Sequence, residues 1–204
     1  TDEEATSYVG NMVSNAGTTI TLTNTEAGIS GGQTFRSSLD IGQGATVTVS
    51  QTDSLQYSGL TNTITVREDG VLDLGTYRWT VGNGTTFVLA GGTITGTGDA
   101  NGALDYHQNN ATIRTVADTS ISATIRLRGT NTVIFDVQEG KTLTHTGIIR
   151  DSGNLRKTGA GTLVISGRGE YSGNTALEAG TIKVASGGNL TEGQFTASAS
   201  TKFI

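Results

Sequence analysis

Residues able to do chemistry are few and widely spaced. Asp53, Asp73 and Asp99 recur at roughly even spacing, and Asp105, Tyr106 and His107 follow the last of them closely. On a coiled chain of that period they would form one column on one face, the arrangement in which carboxylates hold calcium or act as acid and base on a polysaccharide. The plainer expectation is a set of aspartates solvated in turns. His107 and His145 stand far apart with no matching carboxylate or third ligand, so no metal site is expected, and both should be exposed or lightly packed. The chain has no cysteine and no Gly-x-Ser-x-Gly elbow, and Gly91-Gly92 and Gly96-Thr97-Gly98 lack the Lys and helix of a phosphate loop. No catalytic residue, metal ligand or cofactor is assigned, and the ligand-binding residues are unknown at this level.

Three other groupings could meet a ligand. Residues 98–110 form the longest polar, strand-poor stretch and are expected to protrude as a loop. Tyr57, Tyr77 and Trp79 lie about one repeat apart and could make an aromatic strip for a sugar ring, although packing in the core or in a ladder is the expectation. Arg114, Arg126, Arg128, Arg150, Arg156, Lys157 and Arg168 could make a basic row for an anionic glycan or a head-to-tail contact. Solvated ladder residues are the ordinary reading. Residues 1–100 carry 3 basic and 10 acidic side chains, and residues 101–204 carry 10 and 8. The overall charge of −5 argues against a non-specific nucleic-acid partner.

The elements that must position these residues are strands. Among 204 residues there are 30 glycines, 37 threonines and no proline, with 34% hydrophobic and 15% charged residues. Such a chain is too β-branched for a disordered tail and too poor in helix-forming runs for a helical protein. No apolar run approaches the roughly 20 residues that span a bilayer, so no membrane insertion of this stretch is expected. The first fifteen residues differ: Ala5, Tyr8, Val9, Met12 and Val13 follow a helical period, and Thr1 with Glu4 has the form of a capping box. They predict a capping helix over 1–15, docked over the first coil.

From Thr18 the period becomes two. Short β-branched or aromatic segments recur at 20–22, 47–49, 64–66, 87–89, 113–116, 133–137, 163–165 and 182–184, with secondary candidates at 35–41, 71–74, 77–81, 121–127 and 143–146. The starts of the primary segments keep a loose common period. Two or three short strands per repeat is the makeup of a parallel β-helix coil. The expected fold is therefore all-β: a right-handed parallel β-helix (solenoid) over 16–204. Its interior should hold Ile20, Leu22, Val47, Val49, Ile64, Val66, Phe87, Leu89, Ile113, Val133, Phe135, Leu163, Ile165, Ile182 and Val184. A leucine-rich solenoid lacks its Leu-x-x-Leu-x-Leu frame here. An antiparallel sandwich is the stronger rival, because Glu68-Asp69-Gly70 and Asn83-Gly84 could each close a hairpin.

The most regular block is 155–184. Leu155, Lys157, Thr158, Gly159, Gly161, Thr162, Leu163, Ile165, Gly167, Tyr171, Gly173, Thr175, Gly180, Thr181, Ile182 and Val184 stand at the spacing of a passenger-associated transport repeat (an autotransporter-associated β-strand repeat), which this block resembles. Gly169 departs from the family's usual Asn, and Asn174 from the second Gly of a pair. The resemblance implies a bacterial autotransporter passenger, exported to the cell surface or secreted. It implies a structural or adhesive role, continuity with a translocator β-barrel in the full-length protein, host or matrix glycans or proteins as partners, and a repeat that supports secretion and folding outside the cell. This chain would then be a fragment of a longer passenger. The alternative is a carbohydrate-active β-helix enzyme, a lyase or hydrolase, or a glycan-binding module. Independently of the name, Gly167, Gly173 and Gly180 fall at coil corners, where side chains would strike the neighbouring coil.

Overall fold

Strands of two to six residues with polar flanks bury almost nothing alone, and stacking them in parallel is what gives each an inner face. The computed structural model describes residues 11–22, 38–53, 63–107, 110–190 and 193–204. They form an all-β parallel solenoid with three faces. The first face is nine strands deep: Asn11–Ser14, Ser38–Ile41, Thr63–Arg67, Thr86–Ala90, Ala111–Thr115, Thr132–Val137, Asn154–Thr158, Thr175–Leu177 and Phe195–Ala197. The second is also nine deep: Thr19–Leu22, Thr46–Val49, Val71–Asp73, Thr93–Thr95, Thr119–Ile121, Thr142–His145, Thr162–Ile165, Thr181–Val184 and Lys202–Phe203. The third has five strands: Trp79–Thr80, Leu104–Tyr106, Ile125–Leu127, Ile148–Asp151 and Arg168–Tyr171.

Register aligns the inward residues into columns. Leu39, Ile64, Phe87, Ile113 and Phe135 follow one another on the first face. Val47, Leu72, Ile94 and Ile121 do so on the second, and Trp79, Leu104, Ile125 and Ile149 on the third. Twelve of the fifteen expected interior residues are buried. Ile20 and Val184, near the two ends of the second face, are only half-buried because fewer coils cover them. The Leu22 side chain lies outside what is described. Consecutive first-face strands begin at Asn11 and Ser38 in the first coil but at Thr175 and Phe195 in the last, so coils shorten along the rod.

Two expectations need correction, and the antiparallel rival finds no support among the described strands. The predicted helix over 1–15 is not supported: Asn11–Ser14 is a strand, parallel to Ser38–Ile41, and the described residues contain no helix. Pairing with a neighbouring strand overrides the weak helical period of Met12 and Val13, while residues 1–10, with Ala5, Tyr8 and Val9, lie outside the described residues. Glu68-Asp69-Gly70 does turn the chain, with Asp69 at φ +56°, but it carries the chain from the first face to the second and closes no hairpin. Every pair of described strands is parallel, and the only antiparallel contacts among the described residues are two isolated bridges. Finally, 98–110 is not simply a protruding loop. Leu104–Tyr106 within it is a fully buried strand, because Leu104 and Tyr106 point inward with the period of two and Asp105 is neutralised by arginines.

Candidate functional site

Asp53, Asp99 and Asp105 do come together, but around a cation. Arg78 lies one coil after Asp53 and about one coil before Asp99, and its guanidinium reaches Asp53 at 3.1 Å and Asp99 and Asp105 at 3.9 Å. Asp53, at φ +57°, is nearly buried and also accepts the Thr80 N–H at 2.6 Å. Asp105 has no exposed surface and accepts from Arg128 Nε at 2.8 Å and Nη2 at 2.5 Å. The expectation of aspartates solvated in turns therefore fails for these two. A buried carboxylate is tolerated only when a cation and hydrogen bonds replace its water, and the arginines supply both. Asp73 stands apart on the second face, accepting from the Gly75 N–H and the Thr95 hydroxyl at 2.9 Å each.

The supposed basic row is consumed in the same way. Arg114 pairs with Asp136 at 2.8 Å, Arg126 with Asp151 at 2.7 Å, Arg156 loosely with Glu178 at 3.7 Å, and Arg168 with Glu170. Arg126 also donates to Asn101, and Arg150 donates to the carbonyls of Asp99 and Ala100. Both hold the 99–101 turn against the third face. Acid–base work needs two carboxylates converging on one cleft, and here every member of the cluster faces a guanidinium. Among the described residues, no group of three or more His, Asp or Glu could hold a metal ion.

Of the two histidines, His145 departs from the expectation of an exposed or lightly packed ring. His145 is fully buried, in register between Ile121 and Ile165 and edge-on to Phe135 with ring centres 6.0 Å apart. Its Nε2 lies 3.2 Å from the Ala123 carbonyl, its Nδ1 has no partner, and burial pushes its pKa down to about 4. His107 is half-buried beside Arg128 and Asn131 on an open depression. Trp79 packs in the core, edge-on to Phe87 at 5.3 Å, whereas Tyr77 is 37% exposed. Tyr57 lies outside the described residues, so no strip can be assembled from the three.

The block 155–184 is built differently, from contacts between backbones. A Cβ on Gly167 would lie 1.8 Å from the Gly147 carbonyl oxygen, and one on Gly173 would lie 2.0 Å from that of Gly153. Only hydrogen fits there. Tyr171 is buried at the following corner and its hydroxyl lies 2.6 Å from that of Thr175. Lys157 occupies the inward column between Phe135 and Leu177, a position that sequence reading placed on the surface. Its ammonium donates to the carbonyls of Thr158, Gly159 and Ala179, joining one coil's corner to the next. Burial pushes its pKa down to about 8, and Asp136 opposes that fall. The neighbouring Lys-Thr-Gly turn is the available signal, since a long cation can satisfy several carbonyls at a tight corner.

This geometry, glycine corners every coil with a lysine staple and a corner tyrosine, coincides with a match to a known family. Residues 155–184 match the passenger-associated-transport-repeat. A β-solenoid carrying this repeat fits a fragment of an autotransporter passenger, and the repeat is a structural element, not an enzyme family. It spans 30 of the 204 residues. Comparison with curated proteins and with solved structures finds no match.

Proposed function

We propose that this chain is part of an exported autotransporter passenger, a right-handed β-helix displayed at the bacterial surface or released from it, where it acts as a structural and adhesive scaffold without enzymatic activity. The observation that carries this reading is the transport repeat at 155–184 set into a continuous parallel solenoid. In the full-length protein the rod is continuous with a translocator β-barrel, and host or matrix glycans or proteins are its partners. The repeat supports secretion: coils locked by direct backbone contact open least readily, and once folded outside they hold later-emerging chain there.

The test has two parts. Expressed from its whole gene, the protein should be cleaved by protease added to intact cells, and protection until the outer membrane is permeabilised would overturn surface display. Hydrogen exchange on the purified chain should show the slowest amides at 163–165 and 182–184. Slower exchange in the first three coils would remove the physical basis of the secretion role.

A further inference from the structure

We propose that the groove along the corner between the third and first faces is a binding site for an acidic polysaccharide lying along the rod. The inference deepens the adhesive reading above, which supplies only the place where such a polymer would be met. The groove is a cavity of about 300 Å³. One of its walls is a single vertical column in which Asn110, Thr132, Asn154, Asn174 and Gln194 stand on successive coils. Four steps at about 4.8 Å make the column about 19 Å long. Beside it run Arg156, Ala176 and Thr196, in register with one another. The methyl group of Ala176, between two longer side chains, gives the groove its depth.

The hydrogen bonds fix which atoms face a ligand. Asn110 Oδ1 accepts the Thr132 N–H at 2.9 Å, Asn154 Oδ1 the Asn174 N–H at 2.8 Å, and Asn174 Oδ1 the Gln194 N–H at 3.1 Å. Backbone donors thus orient the amides with their oxygens turned into the rod. Asn154 returns its NH2 to the Thr130 carbonyl at 3.2 Å. The NH2 groups of Asn110 and Asn174 have no partner among the described residues. Arg156 adds a half-exposed guanidinium whose Nη1 is held only loosely by a half-exposed Glu178. No carboxylate lines the groove among the described residues.

The asparagine oxygens of this wall are each engaged while amide NH2 groups and a guanidinium are left over, so donors predominate and the complementary ligand is rich in acceptors. A planar guanidinium favours a carboxylate, which it can grip through two parallel bonds. Donors repeating along successive coils favour a polymer over a single small anion. An acidic peptide would seek the edge of a sheet, and of the strands lining this groove only Phe195–Ala197, at the end of the described rod, has an unpaired side, so a chain lying along the groove meets no free edge over most of its length. What remains is a chain addressed through side chains alone and carrying both hydroxyls and carboxylates, a uronate-containing polysaccharide.

Affinity electrophoresis of the purified chain tests this, with polygalacturonate as the probe, dextran as the neutral comparison and polyglutamate as the acidic-peptide comparison. Polygalacturonate should retard the protein, less so at high salt, and the other two should not. Arg156→Gln should weaken retardation about tenfold, and Ala176→Glu, which sets a carboxylate on the floor, should abolish it, with unfolding midpoints close to that of the unmodified chain. Equal retardation by dextran or polyglutamate, no retardation at all, or unchanged binding by both variants would overturn the site. Because the assay uses purified protein, its failure would leave surface display untouched, and failure of display would leave binding intact.

Discussion

The third face between Arg78 and Asp151 and the transport repeat at 155–184 solve one problem in opposite ways. Both must hold each coil on the next. On the third face, long side chains span the gap: Arg78, Arg126 and Arg128 reach carboxylates on neighbouring coils. First-face register there pairs Thr63 with Thr86, Thr86 with Thr112, Ala111 with Val133 and Thr132 with Asn154, so coil length varies before it settles. In the repeat the starts at Asn154, Thr175 and Phe195 fall almost evenly, and backbones touch directly at Gly167 and Gly173. Flexible ion pairs absorb variation in coil length, whereas glycine contacts demand its constancy. The difference teaches that regularity in this rod is a packing requirement, set by carbonyl oxygens that leave room for nothing larger than hydrogen.

The comparison can be broken most severely at the glycines. Gly167→Ala forces a methyl group into the Gly147 carbonyl and should cost about 4 kcal/mol, read as a fall in denaturant midpoint with unchanged slope. An alanine chain as stable as the original would show that coil spacing yields more readily than glycine packing implies. Next, Arg128→Met leaves Asp105 buried with only the distant Arg78 and should cost about 3 kcal/mol in urea unfolding, with Arg128→Lys, which keeps a cation there, losing less. An equal loss in both variants would mean that Arg128 acts by packing instead.

The interior of the repeat's neighbouring coil sharpens the contrast further. His145 is held neutral, its pKa lowered from 6.5 to about 4, so the unfolded chain binds the extra proton as the pH falls. Stability from this group is fully present above about pH 6.5 and is lost as pH falls toward 4. Between pH 7 and pH 5 the loss should be about 2 kcal/mol, and His145→Leu should remove that slope in thermal or urea unfolding. The smallest effect is expected at Lys157→Met, about 1 kcal/mol, because the three carbonyl bonds lost are partly offset by the burial cost of the ammonium that goes with them. A loss as large as that of Gly167→Ala would make the lysine, not the glycine ladder, the main lock of the repeat.

Much of the fold is legible in the chain because a parallel solenoid writes its period twice, as alternation within strands and as recurrence between them. First-face strands, from Asn11 to Phe195, recur with the same mean period as the β-branched segments of the sequence. The third face is harder to see: Trp79–Thr80 and Leu104–Tyr106 are too short for alternation to register. Charge misleads in a specific way. Asp105, His145 and Lys157 are polar residue types at inward or enclosed positions, and each is explained by partners one coil away, at a distance in sequence that no local motif reports. Arg78 has a usable signal, standing one coil from Asp53 and nearly one from Asp99. The amide column is also present in the sequence, as Asn154, Asn174 and Gln194 at equal intervals, but its meaning depends on which oxygens the backbone already holds.

The glycine ladder has a consequence for how such a rod can change over generations. Gly153, Gly173 and Gly193 are evenly spaced, and each later one sits against the carbonyl of the one before, at 2.0 and 2.1 Å from where a Cβ would stand. A copied block running from one of these glycines to the next therefore meets the same surface above and below that its template met, and can be inserted without redesigning either neighbour. A single added residue would instead throw every later glycine off its carbonyl. Rod length is thereby quantised: it can grow or shrink by whole coils of about 4.8 Å, which makes the reach of the molecule a quantity set by duplication, separate from the chemistry carried on its faces.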